Sequence, residues 1–209
     1  MNRTLLIDFD GTLLDTSVDI AMAVNRQRKA YGFSEMKKET VIGHVGHGVV
    51  NLLTKCLPES DLPMEQLEKD FLISYHEIPS ANTTKYHGLD EFLNTDGHKK
   101  IVFSNKSESL LKAILKELDM EKHFSHVVGG DSCQFRKPEK GMLDWLKNTY
   151  GLQSENFLMI GDDRPDVELA RNCGIPVIYC EFGFRGKQTI WDVPTAKNWF
   201  DIQELLKTI

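Results

Sequence analysis

No stretch of this 209-residue sequence approaches the ~20 consecutive apolar residues of a membrane-spanning helix, and its start, MNRTLLIDFD, reaches acids before a secretory signal could build its apolar core. Membrane insertion and export are not expected, and a cytoplasmic location is. Clustered positive charge is lacking too: 25 Lys and Arg stand against 31 Asp and Glu, a formal net charge of −6. Nucleic acid and anionic membranes call for the opposite balance, so neither is an expected partner and any anionic ligand needs a local cation. Cysteine is scarce. Cys56, Cys133, Cys173 and Cys180 form no C-x-x-C pair and no zinc spacing, and they read as buried free thiols. Repeats, low-complexity tracts and long flexible linkers are missing as well.

What is there suits a folded domain. Hydrophobic residues make up 41% and charged residues 27%, and this length can bury one good core with a smaller appended lobe. Five short apolar runs recur, at TLLID (from Thr4), KIVFS (from Lys100), HVVGG (from His126), FLMIG (from Phe157) and PVIYC (from Pro176). Each is continuously apolar, as strands covered on both faces of a parallel sheet are. Helical patterns separate the later runs: residues 107–119, residues 138–150 closed by Gly151, and a helix with Pro165 in its first turn, stopped by Gly174. The pattern predicts an α/β doubly wound parallel sheet, whose ligands bind beyond the carboxyl ends of the strands.

Between the first two strands the chain is far longer than one crossover helix. Helices are expected there over residues 17–31, from a cap at Ser34, over 48–57, and over 64–78 with Leu67, Phe71, Tyr75 and Ile78 on one face. Residues 15–82 thus read as a small helical lobe inserted into a core of residues 1–14 and 83–209. A core helix starting near Tyr86 then leads to the second strand.

A parallel sheet makes neighbours of sequence-distant strand ends. Here those ends carry Asp8 and Asp10; Ser104, Asn105 and Lys106; and Asp162, Asp163 and Asp166. Lys137 precedes the helix after the third strand, and Pro138 favours an extended backbone at Lys137. Several carboxylates on one edge ask for a hard cation with oxygen ligands, and Mg²⁺ fits.

The arrangement, D-F-D-G-T at residues 8–12, Ser104 in SNK, Lys137 in KP and GDDRPD at 161–166, resembles the haloacid dehalogenase-like (HAD) hydrolase superfamily over nearly the whole chain. Finer stretches, VGHGVVNLL, SNKSESLL, VVGGD, IGDDRPDVELARNCG and EFGF, resemble its phosphoglycolate-phosphatase-like branch, which carries a small helical cap after the first motif. The resemblance implies a Mg²⁺-dependent phosphatase for a small phosphate monoester, 2-phosphoglycolate being the leading substrate. Asp8 would be the nucleophile that becomes an aspartyl phosphate. Asp10 would be the acid and base, protonated at the start because burial and a neighbouring carboxylate raise its pKa. Ser104 would hold phosphoryl oxygens and Lys137 would balance their charge. Asp8, Asp162 and the backbone carbonyl of Asp10 would bind Mg²⁺, with Asp166 and Asp163 supporting the metal from behind. Asp163 stands where the family has a small hydroxyl residue, and it can cap the helix instead.

Thr12, Asn105, Lys106, His44 and His47 are further candidates for substrate contact, the histidines because the GHVGHG turn at 43–48 precedes a helix whose N–H groups suit a carboxylate. The seven histidines, His44 with His47 and His123 with His126 included, have no acids or cysteines at metal-ligand spacing and read as surface or core residues. Other readings stay open. A sugar-phosphate phosphatase or mutase, or a nucleotidase, would share every motif. A phospho-Asp receiver module would share the acid, metal and lysine, but it lacks a cap and a second acid two residues on. A dehalogenase would need neither Asp10 nor the acidic fourth motif. A monomer or a homodimer is expected.

Overall fold

The computed structural model describes residues 3–77, 79–94, 97–153, 155–188 and 191–209. Its first strand, β1 (Thr4–Ile7), is buried throughout, as a run without alternation should be when both sheet faces are covered. The chain then passes through β2 (Leu14–Asp15) into four helices, α1 (Ser17–Ala30), α2 (Lys38–Ile42), α3 (Val49–Cys56) and α4 (Met64–His76), and returns through β3 (Thr84–Lys85), which pairs antiparallel with β2. Helices and strands alternate from there: α5 (Leu89–Leu93), β4 (Lys99–Phe103), α6 (Glu108–Glu117), β5 (His126–Val128), α7 (Lys140–Tyr150), β6 (Phe157–Gly161), α8 (Arg164–Cys173), β7 (Val177–Cys180), β8 (Thr195–Ala196) and α9 (Trp199–Leu206).

Six strands form one parallel sheet in the order β5-β4-β1-β6-β7-β8. The chain fills one side of β1 with β4 and β5, then crosses to β6 on the other, so strand order reverses at β1. That reversal opens a crevice at the carboxyl ends of the strands. Side chains alternate between faces. Leu5 and Ile7 join an apolar cluster with Leu111 and Ile114 of α6 and Trp199 of α9; Leu6 joins another with Met142 and Leu146 of α7 and Val167 of α8. The first cluster continues into the insertion through Ile20, Val24, Leu53, Leu67 and Phe71, so the helical lobe and the sheet share one packing surface.

Several expected boundaries shift. Ser34 does not cap α2, because residues 34–36 are drawn along α1: Asn25 exchanges two hydrogen bonds of 2.9 Å with the backbone of Met36, and Arg28 Nε donates to Ser34 O at 2.6 Å. The helix expected from Tyr86 begins only at Leu89, since Gly88 is left-handed at φ 83° and lies against the Phe200 ring. Ile78 lies outside the described residues. The cysteines are free, but only Cys56 and Cys180 are buried; Cys133 and Cys173 are half-buried.

Asp19 of α1 ties the insertion where its chain returns. It is 2% exposed, and its oxygens accept from Asn82 N–H (3.0 Å to each), Asn82 Nδ2 (2.9 Å) and Thr83 Oγ1 (2.7 Å). A carboxylate so fully hydrogen-bonded can be buried. Asp19→Ala leaves those donors without their acceptor and should cost about 2 to 3 kcal/mol. Urea unfolding reads the loss as a lowered midpoint, and an unchanged midpoint would deny the tie any part in stability.

Candidate active site

Three central strands each place a polar side chain one residue past their end: Asp8 after β1, Ser104 after β4 and Asp162 after β6. Backbone pairing carries on past the strands and fixes these positions. Asp8 N–H donates to Ile160 O at 2.9 Å, and Ser104 N–H to Val128 O at 3.0 Å.

Carboxylate oxygens of Asp8, Asp162 and Asp166 lie within 4.8 Å of one another, all buried. A single ammonium serves two of them: Lys137, 4% exposed, donates to Asp8 Oδ1 at 2.8 Å and to Asp166 Oδ1 at 2.7 Å. Burial alone would lower the Lys137 pKa, but Asp166 and Asp8 hold it above the usual lysine range. Burial pushes Asp166 up to about 7 against the pull of Lys137. Among the described residues Asp162 receives neutral donors, Thr12 Oγ1 at 3.0 Å and Phe184 N–H at 2.7 Å. Its burial, reinforced by the charges of Asp8 and Asp166, holds it well above the usual carboxylate range. Glycine is required around it: a Cβ on Gly183 would come within 2.3 Å of the Asp162 Cβ. Burial that resists their ionisation leaves these three acids short of positive charge, and an all-oxygen donor set of this kind fits a hard divalent cation.

The remaining acids have other partners. Asp166 Oδ2 accepts from Asp163 N–H at 3.1 Å and closes the capping box of α8, while Asp163 caps Arg164 N–H at 2.7 Å and pairs with Arg185 at 2.9 Å. Asp163 is thereby turned to the helix and Arg185, and it is not one of the three clustered acids. Asp10 meets a hydroxyl and an ammonium: Thr16 Oγ1 donates to its Oδ1 at 2.6 Å, and Lys106 Nζ faces both oxygens at 3.1 and 3.3 Å.

The insertion closes over this edge. Arg185 donates from Nη1 to Ile42 O at 3.0 Å and from Nη2 to Val45 O, and Asn105 Nδ2 donates to Gly46 O at 2.9 Å. Gly46 fits because it lacks a side chain, since a Cβ there would stand 2.2 Å from Asp163 Oδ2. Beneath lies a cavity of about 60 Å³, with Asp8, Asp10, Ser104, Lys106 and Asp162 on its floor and Ile20, Leu52, Phe71, Leu72 and Tyr75 overhead.

Of the further candidates, Lys106 faces the cavity. Asn105 lines it, but its side chain is committed to Gly46 and to both backbone groups of Lys137. Thr12 stands behind Asp162, to which its hydroxyl donates, and not in the cavity wall. His44 and His47 do not line it either; His47 is exposed, and the wall is made by Val45, Gly46, Gly48 and Val49 of the same turn. Arg185, Thr16 and Tyr75 are the residues that the sequence did not mark. Arg185 directly follows EFGF, yet nothing local separates it from a solvated arginine.

Residues 5–180 match the family described as haloacid dehalogenase-like hydrolase. The phosphoglycolate phosphatase of Aquifex aeolicus (strain VF5) is 33% identical over 185 residues, covering 87% of this chain and 86% of its own. That of Chromobacterium violaceum is 29% identical over 214 residues, covering 98% and 96%. A crystal structure of a predicted phosphoglycolate phosphatase from Haemophilus somnus 129PT shares the fold, with a TM-score of 0.87 at 22% identity and 98% of both chains covered. With the four motifs gathered on one sheet edge and a family match over most of its length, this chain belongs to the haloacid dehalogenase-like hydrolase family.

Proposed function

We propose that the chain is a Mg²⁺-dependent phosphatase that hydrolyses a small phosphate monoester through a phosphorylated Asp8, with 2-phosphoglycolate the first candidate. The observation that carries this reading is the unequal setting of two aspartates in one motif. Asp8 lies against Lys137 on the cavity floor, its Oδ2 free of hydrogen bonds among the described residues, while Asp10 points to Thr16 and Lys106. One is placed to attack and the other to exchange a proton beside it. The names of the relatives support the substrate.

In the first step an oxygen of Asp8 bonds to phosphorus, and the bond to the ester oxygen breaks as that oxygen takes a proton from Asp10. In the second, water attacks phosphorus, gives its proton to Asp10 and releases Asp8 with free phosphate. Ser104 offers its hydroxyl to the phosphoryl oxygens, and Lys137 keeps Asp8 oriented and offsets its charge. Asp8, Asp162 and the carbonyl of Asp10 would hold Mg²⁺, with Asp166 fixing Lys137 behind them. When bound, the ion supplies positive charge that the three acids and a phosphoryl group otherwise lack. The lobe at residues 15–82 serves as the cap that keeps water out.

The metal assignment predicts a stability effect. Asp162 and Asp166 have folded pKa values raised above the unfolded range, so the metal-free folded state binds their protons more tightly than the unfolded chain does. Their contribution is present at low pH and is lost as pH climbs through the folded values. His98 and His126, lowered by burial, oppose this weakly. In chelator the melting temperature should therefore fall between about pH 6 and about pH 8, and excess Mg²⁺ should remove most of the fall. Asp162→Asn should lose the Mg²⁺ response. A Mg²⁺-insensitive melting temperature in the wild type would sink the metal site. Turnover should vanish on chelation and return with Mg²⁺ but not Ca²⁺, which accepts extra oxygens and could occupy both of those on Asp8.

Substitution should separate the two steps. Asp8→Asn is expected to lower turnover by about 10³-fold or more. Asp10→Asn should still be phosphorylated by an aryl phosphate, whose leaving group needs little protonation, and then stall. Rapid-quench mixing reads this as a burst of phosphoenzyme, and wild-type hydrolysis by Asp10→Asn would remove Asp10 from the proton transfers.

A further inference from the structure

Two lysines stand in contrasting settings at this edge, one in the cavity and one beneath it. Lys137 Nζ is pinned between two carboxylates at 2.7 and 2.8 Å and lies beneath the cavity floor. Lys106 Nζ lines the cavity, only 6% of its side chain exposed, and is shared among Asp10 Oδ1, Asp10 Oδ2 and Tyr75 Oη, none nearer than 3.1 Å. A compact ammonium held this loosely can turn to a better acceptor. Tyr75 comes down from α4 of the insertion, 1% exposed, its ring 4.4 Å from Nζ. Its hydroxyl oxygen accepts from Lys106, and among the described residues its own proton meets no acceptor. Burial, with the charges of Asp10 and Asp19, holds the phenol well above its usual range, so that proton stays in place.

A loosely held ammonium and an O–H that meets no acceptor among the described residues, both facing the cavity, define a site with donors to offer. The rest of the overhead wall is apolar: Ile20, Leu52, Phe71 and Leu72. Arg185, the other cation on the wall, is engaged with Asp163 and two carbonyls. We infer that Lys106 and Tyr75 form a subsite for a carboxylate on the leaving group, which selects phosphate esters of small 2-hydroxy acids. Such an ester carries its carboxylate one carbon from the ester oxygen. A donor in contact with Asp10, the group that meets that oxygen, therefore reaches the carboxylate too. The lysine comes from the sheet edge and the tyrosine from the insertion, so the carboxylate is read only when the lobe is closed.

The inference rests on the phosphatase reading above, and three substrates separate the two: 2-phosphoglycolate, 2-hydroxyethyl phosphate, which replaces the carboxylate by an alcohol, and p-nitrophenyl phosphate. In saturating Mg²⁺ the wild type should favour 2-phosphoglycolate over 2-hydroxyethyl phosphate in kcat/KM by at least about tenfold. Lys106→Met should narrow that ratio by about 10- to 100-fold, mainly because the carboxylated ester binds more weakly and its KM rises, and Tyr75→Phe should narrow it by a smaller factor. A wild-type ratio near one, or equal losses on both substrates in Lys106→Met, overturns the subsite. Hydrolysis of p-nitrophenyl phosphate alone also overturns it while leaving the phosphatase standing, and hydrolysis of none of the three removes both. Should Lys106→Met fail to fold, the wild-type ratio and Tyr75→Phe still decide.

Discussion

Three buried acids clustered at the carboxyl edge of the sheet, two of them bound to one buried ammonium, set the terms for this molecule. Asp8, Asp162 and Asp166 are buried together, and Lys137 pairs directly with two of them. Such an arrangement is unfavourable for a ligand-free fold and useful for a site that receives a cation and a phosphoryl group. The surroundings hold it in place: two strand ends fixed by backbone pairing, a helix capped by Asp163 and Asp166, and Gly183 packed against Asp162. Relaxation that would separate the acids would also break strand pairing or a cap.

The insertion is held to that edge by polar contacts made at its two sides. Arg185 and Asn105 of the core grip carbonyls of the 42–46 turn, and Lys106 meets Tyr75 of α4. Charge and geometry thus link the lobe to the same residues that line the cavity. Closure brings an apolar wall over a charged floor, which strengthens every electrostatic contact inside.

Legibility in the sequence followed the length scale of each signal. Continuous apolar runs marked the five main strands because a doubly covered sheet needs both faces apolar. Two-residue strands such as β2, β3 and β8 are too short for any periodicity, and α9 passed unmarked although Asn198 accepts from Asp201 N–H as a helix cap should. The four motifs were legible because parallel strands deliver their ends to one edge. Side-chain direction was not. His44 and His47 sit in the right turn, yet the turn presents its backbone and Val45 and Val49 to the cavity. Thr12 lies within the first motif and turns its hydroxyl back to Asp162.

By itself, then, the sequence determined the class of sheet, the inserted helices and the residue types brought to one edge, since these depend on local polarity and on strand order. Tertiary structure alone decided which acids share Lys137, that Asp10 faces Lys106 and Thr16, and that Arg185 and Tyr75 belong to the site at all. Those pairings join residues up to 143 positions apart, as between Arg185 and Ile42. They arise from how strand ends meet on one edge and how the lobe packs over them, and no run of neighbouring residues encodes that packing.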